Sequence, residues 1–201
     1  MATTTPNYGW SVPTSTDLVT NGATAIETLG DAIDASMNTA LGTKKSGLVL
    51  VGSTTIGSAV SSVAVTGAFS TTYDNYRIII TGGTSSANVD MSMKLGATAA
   101  GYYQQVIRGN YSTTITGVGV SNGAAWTYSG VNNGASNAFF LDIYAPFLSQ
   151  ITRINGAYVD SGTAGILSGY LNNTTSYTDF TLTPASGTLT GGRIDVYGYN
   201  K

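Results

Sequence analysis

The chain has 201 residues, of which 42% are hydrophobic, 10% aromatic and only 9% charged, with 26 glycines and a formal net charge of −2. It contains no Cys and no His, which excludes disulfides, thiolate metal sites, a Cys nucleophile and a Ser-His-Asp triad. The balance of charge offers no basic field to hold a nucleic-acid backbone, and no apolar run approaches the roughly 20 residues needed for membrane insertion.

Charge is divided unevenly along the chain. Before Lys44 the charged side chains are Asp17, Glu27, Asp31 and Asp34, all acidic; the remainder holds all 8 basic residues against the other acids. Residues 1–16 read as an extended arm, because Pro6 and Pro13 turn the residues before them away from helix. Its opening, MATTTPNYGW, has neither a basic n-region nor an apolar core, so no secretion signal is read there. Tyr8 and Trp10 have little local sequence to bury them. They either pack on the protein's own body or anchor the arm, with Pro13, in a partner.

Residues 17–41 carry a helical pattern: Ile26, Leu29, Ile33, Met37 and Ala40 recur at spacings of three and four and fall on one stripe. Thr24 and Glu27 fit a capping box, Asp17 fits an earlier start, and Gly42 fits a C-cap. Gly22 and Gly30 weaken such a helix by about 1 kcal/mol each relative to Ala. The stripe needs a surface: its own body, a larger partner, or copies of itself, of which self-association is preferred, with Ile at successive a-like positions favouring more than two strands. The expected organisation is an N-terminal arm and helix over 1–42, a linker at 43–47 and a β domain over 48–201.

In the β domain the period changes to two. LVLVGS (48–53) and YRIII (76–80) are apolar strands. NVDMSMKL (88–95) alternates, with Val89, Met91, Met93 and Leu95 inward. AFFLDIYAPF (138–147) puts Phe139, Leu141 and Ile143 on one face until Pro146 ends the strand. ITRINGAYVD, GILSGYL, YTDFTLT (177–183) and GRIDVYGY (192–199) follow. Strands at this spacing predict an all-β fold, an antiparallel β-sandwich of jelly-roll type with about eight strands. Between Gly101 and Gly134 the composition shifts to Tyr, Gly, Ser and Asn with one Trp. The stretch reads either as one or two exposed strands with long loops or as a recognition surface. In the second reading Tyr103, Arg108, Tyr111, Trp126, Tyr128 and Asn132 are the candidate contacts, with Trp126 or Tyr128 stacking on a sugar face.

Signals of catalysis are poor. No GxSxG, P-loop, dinucleotide-binding GxGxxG or HExxH occurs, and no Dx[DN]xDG calcium loop. A carboxylate pair for sugar cleavage would have to come from Asp90, Asp142, Asp160, Asp179 and Asp195. Asp90, Asp142 and Asp195 fall on the polar side of alternating strands, where a solvated face is the expectation. No catalytic residue, metal ligand or cofactor site is assigned.

PNYGWSVPTSTDLVTNGATAIETLGDAID (6–34) closely resembles the N-terminal segment of tailed-bacteriophage virion proteins. YDNYRIIITG and the closing LNNTTSYTDFTLTPASGTLTGGRIDVYGYNK resemble strands of phage fibre and minor tail proteins. The resemblance implies a virion structural protein assembled in the bacterial cytoplasm; by itself it does not separate a tail fibre from a head decoration protein, and the tail is the preferred position. It implies N-terminal anchoring to other virion proteins, a homotrimer, and a C-terminal domain directed at a host-surface glycan or protein. A capsid decoration or baseplate protein without a receptor role, and a polysaccharide depolymerase, are the alternatives.

Overall fold

A computed structural model describes residues 3–14, 19–42, 47–111, 113–132 and 137–201. The chain divides into two compact units, Met1–Ser46 and Gly47–Lys201.

In the N-terminal unit the arm is not simply extended. Strands β1 (Thr3–Thr4) and β2 (Ser11–Val12) pair antiparallel, and the turn between them is closed by hydrogen bonds from Thr5 N to Trp10 O (2.9 Å) and from Gly9 N to Thr5 O (3.0 Å). Gly9 takes a φ of 67°, which its missing Cβ allows. Helix α1 (Val19–Gly42) follows. Thr24 and Glu27 lie well inside it, so they form no capping box; the Thr24 carbonyl instead accepts from Thr28 Oγ1 at 2.8 Å. Asp17 lies outside the described residues. Gly42 is the last helical residue.

The body is all-β. Its strands are β3 (Leu48–Thr55), β4 (Val63–Val65), β5 (Asn75–Gly82), β6 (Thr84–Ser85), β7 (Val89–Leu95), β8 (Tyr102–Asn110) and β9 (Ile115–Gly123), then β10 (Trp126–Asn132), β11 (Asn137–Tyr144), β12 (Thr152–Val159), β13 (Thr163–Leu171), β14 (Phe180–Pro184), β15 (Leu189–Thr190) and β16 (Arg193–Tyr199). Every ladder is antiparallel. An eight-stranded sheet runs β3-β16-β5-β11-β12-β13-β8-β9, a four-stranded sheet runs β10-β7-β14-β4, and β15 pairs with β6. The expected antiparallel sandwich is therefore what forms, with more strands than the eight anticipated. The stretch from Gly101 to Gly134 supplies three of them, β8, β9 and β10. These ladders do not by themselves spell out a jelly-roll order.

The period-two pattern decides which side chains the two sheets share. Tyr76, Ile78 and Ile80 from β5, Leu141 and Ile143 from β11, and Ile194 and Val196 from β16 meet Met91, Met93 and Leu95 from β7 and Phe180 and Leu182 from β14 in one buried cluster. Val89 is half-buried, and the other inward residues of its strand are buried as the alternation predicts. Two double glycines allow the chain to leave the large sheet. At Gly82–Gly83 and Gly191–Gly192 all four φ angles lie between 67° and 88°, and a Cβ on Gly83 would lie 2.1 Å from the Gly191 carbonyl oxygen.

Both edges of the large sheet are irregular. On β3 the register against β16 slips between Gly52 and Leu50, leaving Val51 as the extra residue. On β9 it slips between Gly123 and Val120, opposite Tyr103. Asn122 there takes a φ of 53°, and its Oδ1 accepts from Gly101 N at 3.0 Å.

Candidate binding site

Alternation along β8 sends Tyr102, Gln104, Val106 and Arg108 toward the core and Tyr103, Gln105 and Ile107 outward. The predicted contact residues therefore separate into three places.

Arg108 sits at the end of the sandwich, where its Nη1 donates to Asp90 Oδ1 at 2.8 Å across the two sheets. Its guanidinium lies 5.4 Å from the centre of the Tyr128 ring. Burial lowers the Arg108 pKa, but the Asp90 charge and hydrogen bond outweigh this and the net shift is upward. Asn132 is placed nearby by the pairing of β10 with β7. A polar cavity of ≈ 360 Å³ opens here, lined among others by Asn88, Asp90, Arg108, Asn110 and Thr116. Tyr111 is exposed, and its hydroxyl donates to the Asp160 carbonyl at 3.0 Å.

Trp126 is in none of these surfaces. It is fully buried, edge-on to Tyr102 at 5.1 Å, so it cannot stack on a ligand, and the expectation that it contacts a receptor is corrected. Its position on the strand explains this: β10 lies at the edge of the small sheet, but Trp126 pairs with Met93 on the core side. Tyr128 is half-buried, with its backbone NH donating to Gln104 Oε1 at 3.0 Å.

Tyr103 belongs to the outer face of the large sheet, where it stacks on Tyr170 with ring centres 4.8 Å apart and planes 5° from parallel. This face carries two adjacent cross-strand rows. One runs Tyr144–Arg153–Tyr170–Tyr103 across β11, β12, β13 and β8. The other runs Asp142–Asn155–Ser168–Gln105 across the same four strands. Together they floor a groove of ≈ 650 Å³ lined by Gln105, Tyr144, Ile151, Arg153, Asn155, Ser168, Gly169 and Tyr170. Beyond it, Ile79, Phe140, Ala157, Ile166 and Ile107 form an apolar row on the same face. Apart from Tyr103 and Asp142, reading the sequence did not single out these groups. The signal available was the pairing of Arg153 with Asn155 and of Ser168 with Tyr170 at spacing two.

The carboxylates expected on a solvated face are not free. Asp142 and Asp195 are buried. Asp142 Oδ1 accepts from Arg77 Nε and from Tyr199 Oη, each at 2.8 Å, while Oδ2 accepts from Arg77 Nη2 at 2.6 Å. Asp195 accepts from Arg193 Nε at 2.8 Å and from Ser53 Oγ. Asp160 Oδ1 closes a turn by accepting from Gly162 N and Thr163 N, at 2.7 and 2.5 Å. Asp179 Oδ2 accepts from Thr178 Oγ1 at 3.2 Å. The hydrogen bond to Asp142 raises the Arg77 pKa.

Burial, aided by the hydrogen bond to Asp142, pushes the Tyr199 phenol up to about 12, and burial, with a smaller push from the nearby Tyr177, takes Tyr102 up to about 12 against a partly opposing hydrogen bond from Leu95. A phenol whose pKa is raised in the folded state keeps its proton there longer than in the unfolded chain. Its contribution is intact below pH ~10 and is lost as pH rises from the unfolded value toward about 12. Urea unfolding at several pH values should show stability falling through this window, by about 1.4 kcal/mol per pH unit for Tyr102 alone. Tyr102→Phe should flatten the slope.

In the N-terminal unit, Trp10 Nε1 donates to Ser36 Oγ on α1 at 3.0 Å, and Tyr8 stacks on Trp10 at 5.1 Å while remaining 70% exposed. Pro13 lines a small cavity with Val12, Asn21, Ala25 and Thr28. The helix stripe is split. Leu29 and Ile33 are half-buried, on the side that also carries Ala25 and Ser36, whereas Ile26 (65%) and Met37 (52%) stay exposed. Compared with protein-family models the chain matches none, and no curated protein matches it.

Proposed function

We propose that the chain is a bacteriophage virion structural protein, a short homotrimeric tail fibre held to the particle by its N-terminal unit and binding the host surface through the body. The observation that carries this reading is the exposed pair Ile26 and Met37 on a helix that belongs to a compact unit of its own. An amphipathic helix gains most of its stability by burying its apolar stripe, and within its own unit this stripe is only half covered. Partner copies would complete it, with Tyr8 as the exposed ring of the hairpin that other virion proteins would receive. The phage-like motif over residues 6–34 coincides with this unit, and the aromatic outer face of the body supplies a surface for recognition.

Deletion of residues 1–42 should leave a body with unchanged thermal midpoint, since its core is drawn from residues 56–196. The deletion should also abolish incorporation into particles and trimer formation in sedimentation. Incorporation of the truncated body would overturn the anchoring role. Antibody labelling of particles against the body separates a tail position from the head position of a decoration protein.

A further inference from the structure

The outer-face groove combines flat rings, hydrogen-bonding side chains and one cation. Tyr103 and Tyr170 present parallel rings at one end, and Tyr170 is 39% exposed. Gln105, Asn155 and Ser168 are exposed along the neighbouring row, offering amide and hydroxyl donors and acceptors. Directly opposed residues on antiparallel strands hold their Cβ atoms about 5 Å apart, so Arg153, Tyr170, Asn155 and Ser168 fit within the footprint of one or two pyranose rings.

Arg153 sets the charge of the site. Arg77, Arg108, Arg193 and Lys201 each pair with an aspartate at 2.6 to 2.8 Å. Arg153 has no carboxylate partner among the described residues, and its Nη1 makes a long hydrogen bond of 3.5 Å to the Ile151 carbonyl. Asp142, which begins the neighbouring row, is already saturated by Arg77 and Tyr199. A guanidinium with open donors recognises a planar carboxylate through two parallel hydrogen bonds.

We infer that this groove binds a saccharide carrying a carboxylate, with Arg153 on the carboxylate, Tyr170, backed by Tyr103, against a sugar face, and Asn155, Ser168 and Gln105 on ring hydroxyls. The inference deepens the host-binding reading by naming the ligand class, and it rests on that reading for its biological setting.

The test is calorimetric titration of the full chain with tetraglucuronate, tetragalacturonate and an ulosonic-acid disaccharide, and with the carboxyl-reduced form of each uronate. At least one acidic probe should bind, at least tenfold more tightly than its reduced or neutral counterpart, and binding should weaken with added salt. Arg153→Gln and Tyr170→Ala should each weaken it at least tenfold, while Tyr170→Phe retains it. Circular dichroism melts of the variants should match the parent. Failure of all three acidic probes, equal binding of the reduced forms, or unchanged binding by Arg153→Gln would overturn the inference. Adsorption of the same proteins to host cells, read in parallel, separates the two readings. Cell binding that survives both substitutions removes the groove and keeps host recognition, whereas probe binding without cell binding keeps the groove and removes host recognition.

Discussion

Trp126→Ala should destabilise the body by about 3–5 kcal/mol, one of the larger losses a single truncation can cause. The indole is fully buried, packs edge-on to Tyr102, and donates from Nε1 to the Tyr170 carbonyl at 3.3 Å. Removing it opens a cavity between the two sheets and deletes a side-chain donor to a carbonyl of β13. Trp126→Phe should cost less, because a ring still fills most of the space. Denaturant unfolding followed by circular dichroism reads both values, and a loss below about 1 kcal/mol for the Ala variant would contradict the packing described. The result also governs how adsorption data are read. Were the proposed host binding weakened by Trp126→Ala, the buried position of the indole would assign the loss to a weakened core rather than to a lost contact.

Asp142→Ala should cost about 2–4 kcal/mol. Its carboxylate satisfies three donors from two side chains, and its loss strands the Arg77 guanidinium between the Phe140 ring at 4.9 Å and the Tyr199 ring at 5.9 Å. The Arg77 side chain is 33% exposed against 10% for Asp142, so water reaches the stranded cation and holds the loss below that of a fully enclosed pair. The double variant Arg77→Met with Asp142→Ala should be more stable than the sum of the single losses implies, by more than 1 kcal/mol. Additive losses would show that the pair is not coupled.

Periodicity carried much of the fold. The alternation at Met91, Met93 and Leu95 and at Phe139, Leu141 and Ile143 named core faces correctly, because a sheet with one covered side must place every second residue inward. The same alternation misled at Asp142 and Asp195. Both sit on the face opposite the core, yet Asp142 is covered by Arg77 and Tyr199 from other strands, which its own strand does not reveal, whereas Asp195 is covered by Arg193 two residues back on its own strand and by Ser53 of β3. The Trp126 error has a similar origin: a Tyr/Gly/Ser/Asn composition marks adaptable surface on average but does not say which aromatic is turned inward. The groove was invisible for the strongest version of this reason. Its residues come from four strands spread between Tyr103 and Tyr170, and only the ladders bring them together. In the N-terminal unit the helix was legible from spacing, whereas the splitting of its stripe depends on a hairpin whose closure comes from two backbone hydrogen bonds.

The slipped registers at the two outer strands of the large sheet have a colloidal consequence. Neither β3 nor β9 contains a charged residue or a proline, the usual guards against one sheet templating onto another, and with 9% charged residues overall the chain has little repulsion to keep its copies apart. The extra residue at Val51 and the left-handed turn at Asn122 break the straight run of donors and acceptors that an incoming strand would need. A nearly neutral, glycine-rich protein can thus be crowded at high local concentration and meet its copies through side-chain surfaces, without growing into a continuous ribbon.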